Sequence, residues 1–362
     1  RGILGQMSEA GVLWLLLTGG EVFARHDFLD IYRYAKQQGF LITLFTNGTM
    51  ITESIADALA ADRPFNIEIT LYGATRETYE ALTRIPGSYD RCMRGIRLLL
   101  ERNLPLKLKT VAVSINRHEV FAMQQMAGDL GVEFKFDSMI NPRIDCSSSP
   151  LAVRLSPAEL VELDLQDPRR MAEWKSFADQ FLGPVKPPEK HDEIYHCGGG
   201  INSFAIDPDG KMTICVLSHQ DTYDLRRGSL REGWDHFLYE VRAKKATRPT
   251  KCSDCTLKAI CGMCPANGEL EAGDPEEPVD FLCQTAHLRA AVFDFPVAVH
   301  GDCEYCSGGE HHRTLQATAL ALREKGDEWS AHAALLPSFA PASTGCASGA
   351  CSGCGVSGKQ LD

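Results

Sequence analysis

C-S-D-C-T-L-K-A-I-C-G-M-C, Cys252–Cys264, decides how this chain is read. Its four cysteines, Cys252, Cys255, Cys261 and Cys264, are separated by two, five and two residues. Upstream, Cys197 and Cys215 are joined by C-x12-G-x4-C through Gly210, and Cys283 follows Cys264 with 18 residues between them. Thiolates bind soft metals and iron–sulfur clusters, and a C-x2-C pair lets two sulfurs of one loop reach one centre. Seven such cysteines read as ligands of two metal centres. Disulfides and zinc are the competing readings. No secretory segment is recognised in the sequence, so a cytoplasmic, reducing setting is expected, and that disfavours disulfides. Zinc is compatible with the local spacing and is set aside only by what lies upstream.

Composition narrows the remaining classes. The 362 residues can hold two or three domains with a sizeable core. Hydrophobic content of 44% and charged content of 23% are those of a globular chain. A net charge of −11 gives a nucleic-acid partner no electrostatic support. No apolar run approaches the roughly 18 residues that span a bilayer, so no membrane role is expected. Fourteen cysteines are many for such a protein, and metal binding explains them most simply.

Residues 1–145 alternate short apolar runs with amphipathic stretches. Strands are expected at Val12–Thr18, Leu41–Phe45, Phe65–Leu71, Leu106–Ser114 and Glu133–Asp137. Helices are expected at Asp27–Gln38, Thr52–Ala61, Thr75–Leu82, Tyr89–Arg102 and His118–Leu130. The opening residues from Arg1 read as the second half of a helix entering a strand. Strand–helix alternation with short links implies a parallel sheet with right-handed crossovers, and in parallel barrels the loops after the strands carry the chemistry. Here those loops are T-G-G-E (Thr18–Glu21), T-N-G-T (Thr46–Thr49) and T-L-Y-G-A-T (Thr70–Thr75). Glycines let a ligand approach the backbone, and small polar residues can hydrogen-bond it. Each loop alone is more often a plain turn; three of them, all at strand C-termini, are not.

With both halves read, the chain resembles the radical S-adenosylmethionine (SAM) superfamily, in the branch with a C-terminal SPASM domain carrying auxiliary iron–sulfur clusters. The resemblance spans about residues 10–295. It implies an α/β fold: a partial parallel (β/α) barrel followed by a small cysteine-rich α+β domain. It further implies that Gly19, Gly20 and Glu21 face the SAM amino group, that Thr46 and Asn47 mark the next strand end, and that Thr70 and Arg84 contact SAM, Arg84 at its carboxylate. Lys109 is a weaker candidate. By the same correspondence Cys252, Cys255, Cys261 and Cys283 hold one [4Fe–4S] cluster. Cys197, Cys215 and Cys264 hold the other, whose fourth position falls to substrate, water or a neighbour such as His191 or His196.

Two departures from the family pattern stand out. The family places three residues between the third and fourth cysteines of this second group, whereas Cys261 and Cys264 have two between them. The C-x3-C-x2-C loop that holds the SAM-reducing cluster is absent from the sequence. The reading taken is that an N-terminal truncation has removed the first strand and that loop; the alternative is a degenerate protein that has lost the chemistry.

The expected organisation is therefore a barrel lacking its first strand over 1–145, a helical bridge over 146–190, a SPASM-like domain over 191–295, and a Cys-rich, partly disordered extension over 296–362. The bridge should hold a helix at Ser156–Leu163, capped by Ser156 with Glu159, another at Pro168–Phe181, and a linker at Pro184–Pro188. A hairpin should form from Asn202–Ile206 and Lys211–Cys215 around D-P-D-G. In the extension Cys303 and Cys306 form a C-x2-C followed by His311 and His312, and a helix is expected near Thr314–Lys325. The Gly/Ser/Cys tail Gly345–Gly355 either binds metal with Cys303 and Cys306, mimics a fused Cys-rich peptide substrate, or is inert.

The resemblance implies an oxidoreductase or maturase that abstracts a hydrogen atom from a peptide or protein through a 5′-deoxyadenosyl radical, forming a thioether or oxidising a side chain. A one-electron donor such as flavodoxin or ferredoxin would serve it. The competing class is a catalytically incomplete cysteine-rich metal-binding or electron-transfer protein on the same scaffold. The sequence singles out no catalytic acid or base among Glu133, Asp137 and Asp145.

Overall fold

The computed structural model describes residues 1–182 and 193–335, with side chains to residue 326. Helix α1 (Gly2–Glu9) leads into β1 (Trp14–Leu17). Then follow α2 (Phe28–Gln37), β2 (Leu41–Thr46), α3 (Glu53–Ala61), β3 (Asn66–Thr70), α4 (Arg76–Thr83), α5 (Ser88–Glu101), β4 (Leu106–Val111), α6 (Val120–Asp129) and β5 (Glu133–Asp137). The strands form one five-stranded sheet in sequence order, every neighbour parallel. This is the α/β partial barrel the alternation implied, with β1 at its edge.

Register gives the sheet two unlike faces. Leu15 pairs with Ile42, Leu44 with Ile67, and Ile69 with Leu108, so these side chains share a face. Ile42, Leu44, Ile67, Ile69 and Leu108 expose no surface. Each such burial is worth about 1.5–3 kcal/mol, which is what holds the helices on this side. The alternate residues line the opposite, open face: Trp14 and Leu16, then Phe45, Asn66, Glu68, Lys107, Lys109, Glu133 and Lys135. Trp14 meets Phe65 edge-on at 4.6 Å. Glu68 lies 3.1 Å from both Lys109 and Lys135, and Lys107 pairs with Glu133 at 2.6 Å.

The ends of these elements have local causes. Strand β4 stops at Val111, short of the expected Ser114, because the Asn116 side chain takes over: its Nδ2 donates to the Val111 and Tyr72 carbonyls, and its Oδ1 accepts from the Val113 amide. Helix α6 starts at Val120 after a 3-10 turn, since buried Glu119 is turned inward to cap α4. The Glu119 carboxylate accepts from the Ala74 and Thr75 amides and from the Thr75 and Thr78 hydroxyls, at 2.6–3.1 Å.

Two helices, α7 (Pro157–Gln166) and α8 (Pro168–Phe181), link the halves. Ser156 and Glu159 form the expected capping box. Fully buried Asp164 of α7 binds two arginines. Arg170 of α8 donates to Oδ1 (2.7 and 2.9 Å), and Arg289 donates to Oδ2 (2.8 and 3.0 Å). Arg170 also stacks over Phe136 of β5, so this clasp reaches the sheet.

Beyond it, β6 (Ala205–Ile206), β7 (Lys211–Thr213) and β8 (Tyr223–Asp224) form a small antiparallel sheet, the expected hairpin plus a third strand. Helices α9 (Leu230–Glu232) and α10 (Tyr239–Arg242) flank a π-helical turn, Gly233–Leu238. Then come α11 (Lys258–Cys261), α12 (Pro265–Ala272), α13 (Asp280–Phe293) and α14 (His312–Leu335). Helix α13 packs against α7, α11 and α14. Residues 300–322 thus share a core with the bridge: Cys303, Tyr305, Cys306, Leu315, Ala319 and Leu322 cluster with Val161, Leu165, Leu288 and Val292. Helix α14 begins before Thr314 and runs beyond Lys325, because its inner face is covered by α7 and α13. Pro184–Pro188, His191 and the tail Gly345–Gly355 lie outside the described residues.

Candidate functional site

At the C-terminal edge of the sheet, Glu21 ties the first two loops together. Its Oε1 accepts from the Thr46 hydroxyl (2.7 Å) and the Phe23 amide (3.2 Å), and its Oε2 accepts from the Asn47 amide (2.8 Å). An ionised carboxylate offers about four lone-pair positions, so three donors leave room for one more. The Thr46 hydroxyl accepts in turn from the Gly48 amide (3.1 Å), and Asn47 Oδ1 holds Thr49 through its amide and hydroxyl (2.9 and 2.6 Å). Gly48 has φ +73°, and a Cβ at Gly95 of α5 would lie 2.2 Å from the Gly48 carbonyl. Two glycines therefore let α5 support this loop from below. Around Gly19 and Gly20 the space is open: a Cβ on either meets nothing within 4 Å.

Thr70 closes β3, beside Lys109 in register. Lys109 is already engaged, with its Nζ on Glu68 and 2.8 Å from the Phe45 ring centroid. Burial pulls its ammonium below the usual value, and Glu68 offsets this only in part. Arg84 is exposed at the C-cap of α4, in the left-handed region (φ 57°). The structure thus joins Glu21, Thr46 and Asn47 by hydrogen bonds, with Gly19 and Gly20 beside them, and sets Arg84 at a helix end.

The cysteines form two groups. Burial raises the Cys264 thiol, and nearby Cys215 and Cys197 raise it further by charge. Cys264 N-caps α12, and buried Glu269 one turn on binds the segment after Cys215: it accepts from the Ser218 hydroxyl (2.9 Å) and the His219 and Gln220 amides (3.0 and 2.9 Å). Arg242 donates to the carbonyls of Cys197 and Gly199 (2.6 and 3.1 Å), which sets the third thiol. His196 is exposed, and His191 lies outside the described residues.

In the second group burial pushes Cys255 up to about 12 and Cys261 up to about 11. Cys283 is raised further by burial, with charge contributions from Cys303, Cys261 and Cys252. Thiols gathered in a poorly hydrated place resist ionising together, and Lys251, Lys258 and Arg289 offset this only in part, so a bound cation would favour their thiolate forms. That is the donor chemistry an iron–sulfur cluster requires, and both groups fit it.

Sequence reasoning did not find His287 and His300. Together with Cys303 and Cys306 they form a buried group whose ligand atoms all lie within 4.8 Å of one another. H-x2-C-x2-C over 300–306, and a histidine four residues after Cys283 on one helix face, were the signals available. His311 and His312, next to the C-x2-C in sequence, instead meet Tyr305, by ring contact and at its carbonyl.

A parallel half-barrel with an open polar face, joined to a domain of clustered thiols, defines an iron–sulfur enzyme of the radical type. The chain belongs to the radical SAM superfamily. The model of that superfamily matches residues 3–126. The "Probable GTP 3′,8-cyclase" of Saccharolobus islandicus is 33% identical over 222 residues, covering 59% of this chain and 71% of that protein. The "PqqA peptide cyclase" of Rhizobium meliloti is 29% identical over 302 residues, 80% of this chain and 78% of that one. The "AdoMet-dependent heme synthase" of Methanosarcina barkeri is 24% identical over 296 residues, 76% and 84%. Among solved structures, SuiB of Streptococcus suis bound to S-adenosylmethionine superposes with a TM-score of 0.58 at 17% identity, over 78% of this chain and 68% of that one. The cofactors this membership brings are [4Fe–4S] clusters and SAM. Among the described residues, no helix is long and apolar enough to cross a membrane.

Proposed function

We propose that this radical SAM enzyme modifies a peptide or protein side chain, removing hydrogen and forming a new bond or oxidised group. The observation that carries the proposal is the pairing of a cradle at Glu21, Thr46 and Asn47 with two separate thiol groups beyond the sheet. The likeness in sequence to a peptide cyclase supports a peptide substrate. Bound SAM and a reduced cluster supply the hydrogen-abstracting chemistry. The chain's own residues do the positioning. The fourth acceptor position of Glu21 receives the SAM ammonium, and open Gly19 and Gly20 let the ligand reach the backbone. Asn47 and Thr70 offer polar groups beside it. Cys252, Cys255, Cys261 and Cys283 would hold one auxiliary cluster, and Cys197, Cys215 and Cys264 the other. Such clusters would offer an acceptor for the electron left after hydrogen abstraction, and a one-electron donor such as flavodoxin or ferredoxin would serve the enzyme.

A tetrapyrrole substrate is the second reading, favoured by the likeness to a heme synthase. The test is an anaerobic assay of the protein, reconstituted with iron and sulfide, with SAM, a reductant and cysteine-containing peptides. The expected result is 5′-deoxyadenosine together with a peptide that has lost hydrogen by mass spectrometry. Turnover of a porphyrin and of no peptide would replace this proposal with the second reading. Loss of the extra acceptor in Glu21→Gln should weaken SAM binding by roughly ten- to a hundredfold, about 1.5–3 kcal/mol for a hydrogen bond between charged groups. Unchanged SAM affinity would remove Glu21 from the site.

A further inference from the structure

Cys303, Cys306, His287 and His300 are each 4–5% exposed. We infer that they hold a single zinc ion, separate from the iron–sulfur clusters. The separations are those of one ion. His287 Nε2 lies 3.4 Å from Cys303 Sγ and 3.7 Å from Cys306 Sγ, and His300 Nδ1 lies 3.4 Å from Cys306 Sγ. With zinc–sulfur and zinc–nitrogen bonds of about 2.3 and 2.0–2.1 Å, a tetrahedron has sulfur–nitrogen edges of about 3.6 Å. Two thiols and two imidazoles are also the donor set that tetrahedral zinc prefers.

The surroundings orient the ligands. A carbonyl oxygen can only accept, so His287 Nδ1, 2.8 Å from the Cys283 carbonyl, carries the proton. That leaves the Nε2 lone pair aimed at the two sulfurs, as a metal-binding histidine requires. His300 is the ligand that adjusts. Its Nδ1 also lies 2.8 Å from the Ala298 carbonyl, so binding through that atom moves the proton to Nε2. A cleft of about 600 Å³ bordered by His287, Tyr305 and Cys306 gives the ion a way in. Four protein ligands and no open position describe a structural site. Since His287 lies on α13 one turn past Cys283, the ion fastens the 298–306 segment over the Cys252–Cys283 group.

The assignment rests on the cluster reading above only in leaving Cys303 and Cys306 unclaimed by iron, and the test separates the two. The full chain, purified anaerobically, is measured for zinc, iron and sulfide and by X-ray absorption at the zinc edge. Expected are about one zinc per chain in a shell of two sulfurs and two nitrogens, beside about eight irons. Cys303→Ser/Cys306→Ser should lose the zinc and keep the iron. If that variant does not fold, His300→Gln should keep the fold and lower zinc affinity at least tenfold in competition with a chelator. Iron at full occupancy without zinc would overturn the assignment, as would a Cys303–Cys306 disulfide, or loss of iron in either variant. Zinc in a four-sulfur shell would overturn the cluster reading instead, because it would place zinc in the Cys252–Cys283 group.

Discussion

The two halves of this molecule hold their loops by opposite means. At the sheet edge two carboxylates are met by the protein itself: Glu21 by Thr46, Asn47 and Phe23, and Glu119 by Ala74, Thr75 and Thr78. In the cysteine-rich half the loops converge on thiols that burial and one another's charge raise, eased only in part by Lys251, Lys258 and Arg289. The first half is organised before its ligand arrives. The second is completed by its metals, as small metal domains are. Polar groups in the first half fix a cradle; in the second they are gathered thiols, the donors that iron–sulfur clusters take.

Stripping the iron is the strongest way to test that contrast. Chelation should abolish amide protection over 197–215 and 252–283 while the slow-exchanging core of β2, β3 and β4 stays protected, as hydrogen exchange would show. Equal loss in both halves would end the contrast. In the same series Cys255→Ala should cut iron and sulfide by about half, from about eight each. The clasp comes next. Asp164→Ala leaves Arg289 buried without its partner, which should cost about 3–5 kcal/mol, read by urea unfolding of the reconstituted protein. If only the cysteine-rich half is destabilised, the clasp does not couple the halves.

The smallest effect sharpens the picture of the first half. Burial alone would raise the Glu119 carboxyl, but the Thr75, Thr78 and Ala74 donors hold it below its usual value. A depressed carboxylate adds stability above its unfolded value of about 4.3 and loses it as pH falls through the folded value. Glu119→Gln should therefore cost about 1–3 kcal/mol at neutral pH, and the gap from wild type should close below about pH 4. A gap that persists in acid would point to packing instead.

What was legible in the sequence follows the same division. All five strands of the sheet were visible because one face of each is mostly apolar and the chain alternates around it, as at Ile42 and Leu44 of Leu41–Thr46. The loop residues Glu21, Thr46 and Asn47 were visible because small and polar residues stood just after those runs. Helix α13 was not: Leu282, Cys283, Ala286, His287, Leu288, Arg289 and Val292 are buried on every side, so no polar stripe marked it. Strand β8 has two residues, too few for a pattern. The group at His287 and His300 was hidden because its ligands come from a helix and a separate loop, which only packing brings together.

The open face of the sheet carries three lysines, Lys107, Lys109 and Lys135, and three carboxylates, Glu68, Glu133 and Asp137. Three positive and three negative charges sum to zero, and Glu68 alone answers two of the lysines. Such a wall adds no net charge of its own to a chain that already carries −11, so it does not by itself steer a charged ligand. A ligand docking there would exchange places with an ion pair already made. The selectivity of that wall should then lie in which pair a ligand can replace.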